Sequence, residues 1–271
     1  MIDDLYYIEK HAYCISPIHR LDARIKLLLT LAVIVAIVAV PYSPKVIELG
    51  IIFILFFSVL WAVSRLSPGV YLRRLVLILP FGIFLIIFQI FFKNRYYEVF
   101  HPVLSLPFGI EVYAESVEFA SILFAKFIVS VSFIILLSST TRMQDLVDAS
   151  ARLGLPREFT LPLGMMIRYL FVFAEMFGKI RAAMETRCFD PLDRRLPYRY
   201  RLRQLGYTIG TIFIRSYEQG ERTYTAMLCR GYGSDCTLHT RAKPLTRGEV
   251  SLFAASLFFI AASTLVVCLR G

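Results

Sequence analysis

The sequence predicts an all-α, polytopic membrane protein with about five transmembrane helices and long cytoplasmic helices between the fourth and the fifth. Hydrophobic residues make up 57% of the 271 residues, and the mean hydropathy of +0.64 is too high for a soluble domain. The apolar residues fall in long runs, and lysine and arginine are concentrated in alternate segments between those runs. These observations favour a membrane protein over a nucleic-acid-binding one, although the net charge is +10.

Five apolar runs are the candidate spans. The first is short, but with Ile25 and the stem of Lys26 it reaches the roughly 17–20 residues that a bilayer core requires. The third contains Pro80 and Gly82, which membrane helices tolerate. A loop at 93–117 precedes the fourth. The runs are Leu27–Val40, Val46–Val63, Leu75–Phe92, Val117–Leu137 and Val250–Leu269.

The positive charges predict the orientation. With the N-terminus inside, the inner segments 1–26, 64–74 and 141–248 hold 25 of the 30 Lys and Arg residues, and the outer segments hold 4. Inner loops of membrane proteins carry such an excess. We therefore expect a multi-pass protein of the cell's inner or plasma membrane. Residues 1–140 would hold four spans, 141–248 a cytoplasmic block and 249–271 the last span.

The cytoplasmic block reads as helical. A short helix begins near Met143 and ends before Gly154, and a long helix at 158–188 is interrupted only near Pro162. Its apolar middle contains charges, so we expect it to lie along the inner membrane face. Five arginines between 194 and 203 favour contact with anionic lipid. A second long helix is predicted from about Gln204 to Arg230.

A short motif occurs twice in this block, 43 positions apart. The first copy has Ala183, Met184 and Arg187, and the second has Ala226, Met227 and Arg230, followed by Gly231. On a helix, Ala and Arg four residues apart share a face. Each copy is therefore predicted to end a helix that presents a small residue, a methionine and a cation. The alternative is simply two similar amphipathic surface helices.

Several chemistries have no sequence support. Gly178-Lys179 lacks the upstream glycine and the following hydroxyl residue of a phosphate-binding loop. No spacing of His, Cys or Glu is typical of a metal site, and the five cysteines show no disulfide pattern. We therefore expect no catalytic residues, no bound metal and no cofactor on this chain. Lys126 is the one cation inside a span, and it is either a helix-packing partner or a functional residue.

Three stretches carry a family resemblance: Ser16–Lys26, Arg168–Val172, and Arg215–Glu218 with the motif ending at Tyr232. In these stretches the chain resembles the transmembrane (T) component of energy-coupling-factor (ECF) transporters, of the cobalt/nickel CbiQ type. The resemblance implies a non-catalytic subunit that couples a cytoplasmic ABC ATPase dimer, which binds ATP and Mg²⁺, to a separate membrane subunit that captures the substrate. By motif match, Arg187 and Arg230 would dock into the ATPases.

The chain departs from the family pattern in four places. Ala23 replaces a proline, Cys188 replaces the glycine after the first motif arginine, and Thr186 and Cys229 replace small alanines. Because Gly231 reaches a left-handed conformation without steric cost and Cys188 does not, we expect the first helix to run on to Phe189.

Two other classes of protein remain open. A polytopic membrane enzyme would require a cluster of polar or metal-binding residues at a membrane face, and the sequence offers none. A stand-alone channel or secondary transporter would require polar groups at mid-depth in the membrane, and only Lys126 qualifies.

Overall fold

The computed structural model describes residues 16–42, 45–90, 102–106, 110–190, 196–233 and 246–269. These residues form helices and one antiparallel pair of short strands, and the predominance of helix confirms the all-α prediction. They divide into two compact units, one of residues 16–153 and 246–269 and the other of residues 154–233. The helices are α1 (Pro17–Arg20), α2 (Ala23–Ala39), α3 (Lys45–Ser64), α4 (Pro68–Ile90), α5 (Ala114–Thr140), α6 (Met143–Arg152), α7 (Arg157–Glu185), α8 (Tyr198–Cys229) and α9 (Arg247–Leu269).

Five described helices are long and apolar enough to cross a membrane: α3, α4, α5, α7 and α9. Four of them coincide with predicted spans. The fifth, α7, is the helix that the sequence places along the membrane face, and its mean hydropathy of 1.3 is the lowest of the five. The remaining predicted span corresponds to α2, whose 17 residues stand at the lower limit for crossing a bilayer core.

Two helices of the 154–233 unit differ from their predicted bounds. Helix α7 is continuous through Pro162, because a proline in the second turn removes only one hydrogen bond near the helix start. Helix α8 begins at Tyr198, six residues before the predicted start. Pro197 stands immediately before it and sets the backbone for helix entry, and arginine itself is a good helix former. The predicted arginine run is therefore helical at 199, 201 and 203, and positions 194 and 195 lie outside the described residues.

The predicted loop at 93–117 contains an antiparallel hairpin. Strand β1 (Pro102–Leu106) pairs with β2 (Ile110–Tyr113), and Leu104 lies opposite Val112. The alternation of apolar and polar residues in Ile110–Tyr113 is typical of a short strand.

The core of the first unit is an apolar cluster between α2, α3, α5 and α9. Val33, Ile37, Phe53 and Phe133 have no exposed surface, and Ile260 of α9 is 4% exposed. Because lipid is as apolar as these side chains, close van der Waals packing holds the helices together here, and not removal of surface from water. The cluster therefore sets the packing of these helices.

Helix α4 approaches α5 closely at Gly82. A β-carbon at this position would overlap the ring of Phe127. Although Pro80 precedes it, α4 remains continuous. Gly82 is therefore a packing residue, and its lack of a side chain allows the two helices to touch.

Polar contacts hold together one end of the bundle. The backbone N–H of Asp22, at the start of α2, donates to Glu249 Oε1 at 3.3 Å. Glu249 Oε2 accepts from the N–H of Thr246 at 2.9 Å, the contact that closes a capping box at the start of α9. Lys26 Nζ donates to the carbonyl of Thr140, the last residue of α5, at 2.9 Å. The start of α2, the end of α5 and the start of α9 therefore lie at the same end of the bundle.

Candidate functional site

The first motif ends helix α7 in a hydrogen-bonded cap. The N–H of Cys188 donates to the carbonyl of Glu185 at 3.0 Å, and the N–H of Phe189 donates to the carbonyl of Met184 at 3.1 Å. This pair of bonds is a Schellman motif, in which one residue adopts a left-handed conformation. That residue is Cys188, with φ of 54°.

The second motif ends helix α8 in the same way. The N–H of Gly231 donates to the carbonyl of Leu228 at 2.9 Å, and the N–H of Tyr232 donates to the carbonyl of Met227 at 3.0 Å. Gly231 has φ of 77°. The donors and acceptors are those of the first motif moved by 43 positions, so the repeat seen in the sequence is also a repeat of backbone geometry.

The expected difference between the two helix ends is therefore wrong. Helix α7 stops at Glu185 and does not run on to Phe189, because Cys188 adopts the left-handed conformation despite its side chain. Two capping hydrogen bonds, together with the contact of the Phe189 ring with Tyr200 at 6.1 Å between centroids, offset the steric cost of about 1–2 kcal/mol.

Equivalent side chains of the two motifs have equivalent exposure. Arg187 and Arg230 are both exposed, and neither forms an ion pair or a side-chain hydrogen bond within the part of the chain that the structure describes. Ala183 and Ala226 are exposed beside them. The two methionines, Met184 and Met227, are half-buried. Each motif therefore presents an uncompensated guanidinium group next to a small residue, with the methionine turned partly inward.

The repeat extends two turns upstream through ion pairs. Glu175 pairs with Lys179 at 2.8 Å, and at the equivalent positions Glu218 lies 4.0 Å from Arg222. All four side chains are more than half exposed, so the pairs contribute little stability. Each motif arginine is therefore preceded by an ion pair at equivalent positions, and Arg187 and Arg230 themselves are in no such pair within the described residues.

Helices α7 and α8 form an antiparallel hairpin. The hydroxyl of Thr208 contacts the sulfur of Met184 at 3.3 Å, and the hydroxyls of Tyr169 and Thr223 lie 2.5 Å apart. Because Thr223 donates its proton to the carbonyl of Gln219, Tyr169 is the donor of the latter bond. The two contacts are 15 residues apart on each helix, which corresponds to about 22 Å along the hairpin. The two motifs therefore lie toward opposite ends of it.

The second motif lines a cleft of about 330 Å³ between the two helices. The sequence did not predict this cleft. Alongside Arg230, two further arginines line it, Arg168 from α7 and Arg222 from α8. Its other lining residues are Met165, Tyr169, Gln219, Thr223, Ala226 and Met227.

Lys126 lies within the apolar bundle. It is 6% exposed, and its Nζ donates to the carbonyls of Val40 at 2.7 Å and Val38 at 3.3 Å, with the Tyr42 ring 4.3 Å away. These carbonyls end helix α2, where a cation is favoured by the helix dipole. The sequence leaves two roles open for Lys126, and these contacts are those of a helix-packing residue.

Lys26 makes the reciprocal contact at the other end of the same helix pair. It donates to the carbonyl of Thr140 at the end of α5, just as Lys126 of α5 donates to the end of α2. Each helix therefore caps the C-terminus of its antiparallel neighbour with a lysine. The sequence did not reveal this, because the pairing joins residues 114 and 86 positions apart.

The described residues include no metal-binding cluster and no disulfide. No three His, Cys, Asp or Glu residues there come together in a way that could hold a metal ion. Cys188 and Cys229 are exposed free thiols, one in each motif. Cys14 and Cys236 lie outside the described residues.

An apolar helical bundle and a hairpin with two matching arginine-bearing ends define a polytopic α-helical membrane protein with a duplicated surface motif. A family model described as CbiQ, cobalt transport protein, matches residues 15–240, and the chain belongs to this family. The resemblance to the T components of ECF transporters is thereby confirmed.

Individual relatives agree with this placement. The chain is 30% identical to the energy-coupling factor transporter transmembrane protein EcfT of Exiguobacterium sibiricum, over 81% of this chain and 84% of that protein. It is 25% identical to an uncharacterised protein of Methanocaldococcus jannaschii, over 98% of this chain and 87% of the relative. A second uncharacterised protein of that organism is 28% identical over 56% of each chain.

Proposed function

We propose that this chain is the coupling subunit of an ATP-driven ECF-type importer, with cobalt or nickel ions as the transported substrate. In this role it has no catalytic residues and binds no cofactor. A dimer of ABC ATPases binds ATP and Mg²⁺, and a separate membrane subunit captures the substrate. Membership of a family described as cobalt transport proteins, and similarity to a protein named EcfT, support the proposal.

The observation that carries the proposal is the duplicated helix end. An ATPase dimer offers two copies of one surface, and a single chain can bind both only if it carries two copies of the complementary motif. Arg187 and Arg230 follow identically capped helices, are exposed and have no ion pair among the described residues. Their planar guanidinium groups suit bidentate contacts with carboxylates and carbonyls of a partner.

The hairpin also suits transmission of motion. Arg187 lies just after the end of α7, and Arg230 lies beside the first turns of α7, so the two arginines are at opposite ends of the helix pair. Closure of the ATPase dimer on ATP would act on both ends at once. Because helices move as rigid bodies, the hairpin would pass that displacement to the membrane helices.

The bundle contacts support a cytoplasmic position for this region. The end of α5 and the start of α9 lie at the same end of the bundle, so the chain between 141 and 246 crosses the membrane an even number of times. Helix α7 is apolar enough to cross, but α8, with charges from Arg199 to Arg222, is not among the candidate spans and provides no return. We infer that both helices stay on one side, and the excess of Lys and Arg supports the cytoplasm as that side.

This orientation has a direct test. On a background without native cysteines, a cysteine at position 201 should react with an impermeant thiol reagent only after the cells are opened. We propose that the arginines at 199, 201 and 203 contact anionic lipid at the inner face. Labelling of position 201 from outside intact cells would contradict both statements.

The ATPase contact is tested by charge reversal. The double variant Arg187→Glu, Arg230→Glu should remain in the membrane and lose the ATPase, because breaking a buried charged contact costs about 2–5 kcal/mol at each site. The matched control is Arg215→Glu, the same change on an exposed position of α8 that does not line the cleft. Full ATPase retention by the double variant would disprove the docking role of these arginines.

A further inference from the structure

The two ends of the α7–α8 hairpin have matching caps but different side-chain surroundings. The cleft beside the second motif, the arginine cleft, is lined by Arg168, Arg222 and Arg230, whereas a contact between two side chains occupies the equivalent place beside the first motif. We propose that the arginine cleft receives an acidic segment of the ATPase, which makes the second motif the stronger of the two docking sites. This proposal rests on the proposed docking role of the motifs and adds Arg168 and Arg222 to the contact.

The arginine cleft is positively charged and open to a partner. No carboxylate is among the side chains that line it. Arg222 has only the exposed Glu218 at 4.0 Å, the limit of an ion pair. Arg168 and Arg230 are exposed and form no ion pair or side-chain hydrogen bond with any described residue. A partner with carboxylates on its surface would therefore meet complementary charge here.

The equivalent positions beside the first motif carry fewer arginines. With the repeat of 43 positions, the counterparts of Arg168 and Arg222 are Thr211 and Lys179. Thr211 is neutral, so the first end has one cation fewer at these positions. Lys179 lies 2.8 Å from Glu175, and its ammonium group lacks the planar fork with which arginine binds a carboxylate through two hydrogen bonds. The first motif therefore offers an acidic partner only its own arginine as a fork.

The space between the helices also differs at the two ends. Met165 and Met227 line the arginine cleft. Their counterparts 43 positions away are Thr208 and Met184, and the hydroxyl of Thr208 lies 3.3 Å from the sulfur of Met184. Thr208 is 8% exposed. A side chain of the partner can therefore enter between the helices beside the second motif, whereas beside the first motif the Thr208–Met184 contact takes up that place.

The size and position of the arginine cleft suit an acidic segment of the docked ATPase. A volume of about 330 Å³ is at the lower end of the range for ligand pockets, so a carboxylate side chain has room to enter. Arg168 comes from α7 and Arg222 from α8, so a segment inserted there would contact both helices, which the motif arginine alone does not do. Because an ATPase docked on Arg230 already lies against this cleft, its side chains are the ones that can reach the other two arginines.

The test measures binding of the ATPase that co-purifies with the wild-type chain to the full chain in phosphatidylcholine nanodiscs at increasing NaCl concentrations. The cleft variants Arg168→Gln and Arg222→Gln should each weaken binding about tenfold at low salt, as expected for loss of one charged hydrogen bond. The difference from the wild type should shrink as salt screens the contact. Lys179→Gln, at the counterpart of Arg222 in the first end, should have a smaller effect. The matched control Arg215→Gln, an exposed position of α8 outside the cleft, should bind as the wild type does.

Three results would overturn the proposal, and they can be told apart. If both cleft variants bind like the control while charge reversal of the two motif arginines removes the ATPase, the docking role stands and the acidic contact in the cleft is wrong. An equal loss in Lys179→Gln and Arg222→Gln would show that the two ends are equivalent. Retention of the ATPase after charge reversal would remove the docking role itself. Arg168→Lys, which keeps the charge, should recover part of the binding, and amide exchange near Thr208 should match the wild type in every variant because the changed side chains are exposed.

Discussion

The cap of α8 allows a sharp test of backbone conformation, because one glycine lies in this cap and another, for comparison, lies inside the helix. Gly231 has φ of 77°, whereas Gly220 lies inside α8, and a β-carbon at either position would meet no atom within 4 Å. A Gly→Ala change therefore causes no clash at either position. Any difference in stability between the two variants must come from backbone conformation.

The expected effects have opposite signs. In Gly231→Ala the left-handed conformation costs about 1–2 kcal/mol, of which the lower entropy of the unfolded alanine chain offsets about 0.4–1 kcal/mol. The cap should lose about 0.5–1.5 kcal/mol. In Gly220→Ala the helix should gain about 0.5–1 kcal/mol. Cys188→Gly, which removes the side chain from a residue with φ of 54°, should strengthen the first cap by an amount similar to the loss in Gly231→Ala.

Amide hydrogen exchange measures these effects locally. The N–H of Tyr232 is bonded to Met227 and that of Phe189 to Met184, so each reports the opening of its own cap. Exchange at Tyr232 should be roughly two- to tenfold faster in Gly231→Ala and no faster in Gly220→Ala. Exchange at Phe189 should be slower in Cys188→Gly. Unchanged exchange at Tyr232 in Gly231→Ala, or faster exchange at Phe189 in Cys188→Gly, would refute the assignment of matched caps.

Two further predictions concern the apolar bundle. Lys126→Met should lower thermal stability in detergent by about 1–3 kcal/mol, because the buried carbonyls of Val38 and Val40 lose their donor; Lys26→Met tests the reciprocal contact, and wild-type melting of both variants would contradict the capping roles. Gly82→Ala should also destabilise the protein, because its β-carbon overlaps the Phe127 ring, and Phe127→Leu in the same chain should restore part of the loss; no loss in the single variant would exclude the close approach of α4 and α5.

The transmembrane spans could be predicted because length and hydropathy largely determine which segments of a chain cross a membrane. Four runs became α3, α4, α5 and α9 with small shifts of their ends. The start of α9 also has a sequence signature, since Thr246 and Glu249 have the spacing of a capping box. Local patterns of this kind need no knowledge of the tertiary fold.

The remaining features depend on contacts between distant residues. Cys188 adopts a conformation that its own preference opposes, because the capping bonds and the Phe189–Tyr200 contact outweigh that preference. The paired lysine caps and the arginine cleft arise from the register of antiparallel helices, which hydrophobic periodicity does not determine. The motif residues themselves were found from the sequence, because repetition is a local signal. Their docking role remains a prediction.

The most direct test of the proposed function is purification of the wild-type chain from the membranes of cells that produce it, followed by identification of what accompanies it. We predict an ABC ATPase that carries a phosphate-binding loop and a second, substrate-capturing membrane protein, and we predict that ATP hydrolysis by this complex drives uptake of cobalt or nickel. Isolation of the chain alone, with uptake that depends on an ion gradient and not on ATP, would contradict the account and favour a secondary transporter.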